Sequence, residues 1–125
     1  MAGPAPGFLK YPEYQLAIEP SASHVRVLVG DTVIADTRNA LLVSEGRHAP
    51  VWYLPMESVD PGVIQATDTS THCPFKGDAS YWSIHTGGKA LPDVMWSYQT
   101  PFDECLPLAG HAAFYADQVT IETDP

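Results

Sequence analysis

Twelve prolines and nine glycines stand in a chain of 125 residues, about one position in six. Proline removes a backbone donor and breaks helix interiors, and glycine marks turns. This density leaves no room for long helices and favours short strands joined by tight turns. Pro4, Pro6, Pro12 and Pro20, with Gly3 and Gly7, fall in residues 1–23, which show no periodic apolar pattern. That Pro-rich segment reads as an extended arm anchored on the domain by Phe8, Leu9, Tyr11 and Tyr14, or as a loosely ordered tail. Residues 24–125 read as a single β domain, large enough to bury a core without a disulfide.

Val25, Val27 and Val29 alternate with Arg26 and Leu28. Gly30-Asp31 follows, then Thr32-Val33-Ile34-Ala35-Asp36, so the pair reads as a hairpin. Ala40-Leu41-Leu42-Val43 gives a third strand. Val51-Trp52-Tyr53-Leu54, bounded by Pro50 and Pro55, gives a fourth that is short or at a sheet edge. Val63 to Thr67 and Ala79 to His85 are strands, and Gly87-Gly88 turns the chain back into Lys89-Ala90-Leu91. Asp93 to Tyr98 continues extended. One short helix is expected, capped by Thr100, with Pro101 first, Asp103 three residues after the cap, and Gly110 past its end. Ala112 to Tyr115 and Val119 to Ile121 are expected to pair as a closing hairpin. The fold class is mainly β: a compact antiparallel domain, rolled or in two sheets, with one short helix.

The net charge of −9 repels phosphate backbones and anionic headgroups, which argues against nucleic acid and membrane as partners. No run approaches the ~18 apolar residues of a membrane span. Met1 to Lys10 resembles neither a signal nor a transit peptide, so a cytoplasmic location and unpaired Cys73 and Cys105 are expected.

The chemistry-bearing residues gather in Thr71-His72-Cys73-Pro74-Phe75-Lys76-Gly77-Asp78-Ala79-Ser80-Tyr81-Trp82. A neighbouring cation stabilises a thiolate, so Lys76 or His72 could activate Cys73. Adjacent strand residues point to opposite faces, which separates His72 from Cys73, whereas a turn at Pro74 would return Lys76 toward Cys73. The plain alternative is a buried Cys73 beside a hydrogen-bonded His72 at a tight turn. Gly77 beside Lys76 lets the backbone approach an anion, but Lys76 could equally pair with Asp78 or Glu45. Glu45 and His48 could also bring an acid and a base to the site. Tyr53, Tyr81, Tyr98 and Trp96 are candidate ligand-pocket walls, with core packing as the alternative. No metal is expected, because the five histidines form no helical pair and no Cys-x-x-Cys occurs. No residues identify a cofactor.

The same stretch resembles the bacterial and fungal proteins grouped as the domain of unknown function 427. Val33-Ile34-Ala35-Asp36-Thr37-Arg38-Asn39-Ala40, Pro50-Val51-Trp52-Tyr53-Leu54-Pro55, Trp96-Ser97-Tyr98 with Pro101-Phe102, and Gly110-His111-Ala112-Ala113-Phe114-Tyr115 carry the likeness from about residue 24 onward. The resemblance implies a compact β domain, similar to the tent-like β folds, and a site at His72, Cys73, Lys76, Gly77, Tyr81 and Trp82. The family is sometimes catalogued as nucleotidyltransferase-like; this chain has no Gly-Ser pair followed by a metal-binding Asp-x-Asp. Three functions are therefore open. The first is a small-molecule-binding domain, or an enzyme using Cys73, Lys76 and His72, walled by Tyr53, Tyr81 and Trp96 with Glu45 and Gly77. The second is a structural or interaction module, acting through a protein partner or as a homodimer. The third is a nucleotide- or phosphate-handling enzyme.

Overall fold

Strand alternation splits the apolar residues into two sets, and the computed structural model, which describes residues 3–125, buries each set on a different face of one sheet. The strands are β1 Leu16–Pro20, β2 His24–Val29, β3 Thr32–Thr37, β4 Leu41–Glu45, β5 Val51–Pro55, β6 Ile64–Cys73, β7 Gly77–Thr86, β8 Lys89–Ser97, β9 His111–Phe114 and β10 Thr120–Asp124. Seven form an open sheet in the order β1-β4-β5-β9-β8-β7-β6, and β10-β2-β3 form a second sheet. The named strand pairs are all antiparallel. No helix among the described residues is long and apolar enough to cross a membrane.

The first core lies between the sheets. Val25, Val27, Val29, Ile34 and Ala35 of the small sheet meet Leu54, Ile84, Met95, Ala112 and Phe114 of the large one. On the opposite face Val43, Tyr53, Ala79, Tyr81, Tyr98 and Ala113 pack with Cys105 and Leu108. Each large side chain removed from water contributes about 1.5–3 kcal/mol, so adjacent residues such as Tyr53 and Leu54 stabilise different cores.

The hairpins at Gly30-Asp31 and Gly87-Gly88 form as their turn residues require. Two local expectations are corrected. β9 and β10 do not pair: β9 lies between β5 and β8, and β10 joins β2. The Asp117-Gln118 link looked like a hairpin loop, but Phe114 and Ile121 both reach the inter-sheet core, so the chain crosses from one sheet to the other. β5 meets the first of its two expectations: it is short, and it lies inside the sheet with its prolines outside its pairing with β4. The helix is a 3-10 segment, Asp103–Leu108, with Phe102 rather than Thr100 at its start and no side-chain cap. Pro107 inside it and Cys105 at φ −120 break α geometry.

The N-terminal segment is partly regular. Helix α1, Pro6–Lys10, precedes β1, which pairs with β4 from Leu16↔Glu45 to Pro20↔Leu41. Of the expected anchors, Leu9 and Tyr11 are exposed. Tyr14 stacks on Phe75 at 3.9 Å and Phe8 meets Phe75 edge-on at 5.0 Å.

Candidate functional site

Cys73 and Gly77 pair across a three-residue turn, Pro74-Phe75-Lys76. Gly77 holds φ 124, and a Cβ there would sit 3.4 Å from Pro101 Cα and from the Thr100 carbonyl oxygen. Two neighbouring segments strap the turn: the Gly7 N–H donates to the Pro74 carbonyl at 2.9 Å and the Phe102 N–H to the Lys76 carbonyl at 2.9 Å. Gly7 lies so close that a Cβ would meet the Phe75 ring and the Pro74 oxygen at 2.8 Å.

The bend turns Cys73 and Lys76 toward the second core. Cys73 packs against it, and the Lys76 Nζ lies 5.9 Å from the Tyr98 ring centre. Lys76 is only 7% exposed and donates to Glu45 Oε1 at 2.5 Å. The Tyr14 hydroxyl donates to the other carboxylate oxygen, also at 2.5 Å. Burial works to raise the Glu45 pKa, but the bonds from Lys76 and Tyr14 and the Lys76 charge outweigh it and hold the carboxyl below its ordinary value. Burial, with the bond to Glu45, keeps Tyr14 protonated well past the ordinary phenol range. Of the two partners open to Lys76, Glu45 takes the ammonium.

Asp78 instead meets His72, with Nδ1 and Oδ1 at 2.7 Å, on the solvent side. His72 is therefore not brought to Cys73 or Lys76. The two cysteines are free. Cys105 is fully buried, its Sγ 3.4 Å from the Phe75 carbonyl oxygen it donates to, and burial pushes its thiol up to about 11. Cys73 is partly exposed. Among the described residues no buried side-chain polar atom lacks a partner, and no cluster of His, Cys, Asp and Glu is placed to hold a metal ion.

The wall residues divide. Tyr53 is 2% exposed, and its oxygen accepts the Trp96 indole N–H at 3.2 Å. Tyr81 is 8% exposed, its hydroxyl 3.0 Å from Thr71 Oγ1 and 3.5 Å from the Tyr115 hydroxyl. Both rings serve as core. Trp96 stays half-buried and lines a cleft of about 420 Å³.

That cleft opens where β9 ends. β5 pairs with β9 only at Leu54 and Pro55, so Val51 to Tyr53 have a strand on the β4 side alone. Past Phe114 the chain peels away toward β10, leaving a gap walled by Pro50, Trp52, Trp96, Phe114, Tyr115 and Ile121. Tyr115 stands against Trp96, ring centres 4.6 Å apart. The bond to Tyr81, then burial, then the nearby Tyr81, Asp117 and Asp93 push the Tyr115 hydroxyl up to about 12. Sequence reasoning reached Trp96 but missed Trp52, Tyr115 and Ile121. The pairing of Trp52 with Tyr53 was the available signal, since alternation had to put one of the two outside the Tyr53 cluster.

Residues 17–125 match the model of the family described as a domain of unknown function, DUF427, also labelled NTP_transf_9. The chain belongs to the DUF427 family. The match begins inside β1, so the DUF427 unit includes the strand that ties the N-terminal segment to the large sheet. No curated protein matches this DUF427 chain. The Thr71–Trp82 stretch that carried the resemblance spans the end of β6, the strapped turn and the first half of β7.

Proposed function

We propose that this chain is a small-molecule-binding domain whose site is the cleft at the end of β9. The observation that carries the reading is the cleft itself, about 420 Å³ and walled by four large aromatic residues, Trp52, Trp96, Phe114 and Tyr115. Ligand sites are concave, mostly apolar and supplied with few polar groups, and a volume of this size falls in their range. The Tyr115 hydroxyl and the one-sided backbone of Val51 and Trp52 supply the polar groups.

The Thr71–Trp82 stretch has a separate role in this reading, the structural one. Lys76, Glu45 and Tyr14 lock the turn and the N-terminal segment onto the second core. Catalysis by Cys73, Lys76 and His72 draws no support from the geometry, because the ammonium is neutralised by Glu45 and His72 faces solvent with Asp78. A phosphate-handling role is disfavoured by the net charge of −9 and by the uncharged cleft lining.

The test is intrinsic tryptophan fluorescence and thermal shift against a panel of molecules the size of a single or fused aromatic ring, nucleotides included. Binding that quenches fluorescence and is lost in Trp52→Leu supports the reading. A silent panel, or binding unaffected by Trp52→Leu and weakened by Cys73→Ser, overturns it.

A further inference from the structure

We infer that the cleft selects organic cations, compact ammonium groups carried on an apolar body. The inference deepens the proposed function and rests on it. Trp52, Trp96 and Tyr115 all line the cleft. The negative face of such rings attracts a cation within about 6 Å of the ring centre, tryptophan most strongly.

The surrounding charge points the same way. None of the described residues lining the cleft is charged, so no lysine or arginine of the lining occupies the aromatic faces. The ammonium–ring contacts within the described residues lie elsewhere, Lys10 over Tyr11 and Lys76 over Tyr98. Asp93 and Asp117 are near enough for their charges to act on the Tyr115 hydroxyl, although neither lines the cleft. Asp93 is held by the edge strand β6. Its two carboxylate oxygens accept from Thr67 Oγ1 at 2.6 Å and Thr69 Oγ1 at 2.7 Å. The whole chain carries fifteen acidic residues against six Lys and Arg, so the long-range field also favours a cation. An anion would meet the net negative charge of the chain and gain no such attraction from the aromatic lining.

The experiment compares choline with 3,3-dimethylbutan-1-ol, which has the same shape without the charge, by calorimetry on the full chain. Choline is expected to bind about tenfold more tightly or better, as cation–ring attraction in a partly desolvated site implies. Trp52→Leu keeps an apolar wall but removes the ring; it should abolish choline's advantage and spare the alcohol. Should that variant fail to fold, Tyr115→Leu replaces it, since Tyr115 is 42% exposed. Equal affinities for choline and the alcohol overturn the cation selectivity and leave the cleft as the site. The same holds if neutral aromatic molecules bind and choline does not. No binding by either compound, together with a silent panel, overturns the inference and the reading beneath it.

Discussion

Replacing Lys76 with methionine removes one half of a pair whose other half stays behind. The side chains of Lys76 and Glu45 are 9% and 21% exposed, so the orphaned carboxylate would be largely cut off from water. Breaking a buried pair in this way costs about 3–5 kcal/mol. Glu45 keeps its Tyr14 bond and some exposure, which places Lys76→Met near the low end, about 3 kcal/mol. At about 2.1 cal/mol/K of unfolding entropy per residue, a chain of 125 residues should lose about 11 °C in Tm. The double variant Lys76→Met, Glu45→Gln should recover part of that loss, because a neutral amide is easier to bury than an unpaired charge. His72→Ala is the contrast: its partner Asp78 is exposed, and such surface pairs contribute about 0–1 kcal/mol. The penalty also has a pH signature. Glu45 has a lowered pKa in the folded chain, so its contribution is complete above the ordinary value of 4.5 and is lost as pH falls through the folded value. The gap between parent and Lys76→Met should therefore narrow in acid. Calorimetric melting from neutral pH downward reads all of this. A Lys76→Met chain melting within about 2 °C of the parent, or a strictly additive double variant, would refute the locking role.

Two further outcomes follow from the turn and its neighbours. Iodoacetamide should label the partly exposed Cys73 in the folded chain and reach Cys105 only in denaturant, because Cys105 is fully buried with its thiol pushed up to about 11; mass spectrometry showing Cys105 labelled first would contradict this. Gly77→Ala should destabilise by about 1–3 kcal/mol, since φ 124 is strained for any residue with a Cβ, and an unchanged urea midpoint would count against it.

The sequence carried the local structure well and the long-range structure poorly. Alternating valines and the Gly30-Asp31 and Gly87-Gly88 pairs defined hairpins, because the partners of a hairpin lie within a few residues of each other. The pairing of β10 with β2 joins Thr120 to Leu28 and leaves no such local trace. The segment after Thr100 showed helix-start residues, but Pro107 and the geometry at Cys105 allowed only 3-10 turns. Around the motif, Glu45 was one of two partners open to Lys76, and the choice between them was a matter of sheet geometry. Asp78 follows Gly77 on β7 opposite His72, whereas Glu45 ends β4 at the far side of the second core. The cleft was least legible. It exists because β9 is only four residues long and leaves Val51 to Tyr53 half paired, a fact of sheet order. Trp96 could be chosen as a wall from its type alone, while its neighbours in space are scattered over β5, β9 and β10.

The three tryptophans allow the most direct test. Each gives one indole N–H signal in a nitrogen–proton correlation spectrum. Trp52 and Trp96 line the cleft, and Trp82 packs against the core between the sheets. Titration with a binding ammonium compound should move the Trp52 and Trp96 signals together and leave Trp82 in place. Movement centred on the backbone of Cys73 to Gly77, with Trp52 and Trp96 unchanged, would place the site in the strapped turn and contradict the account.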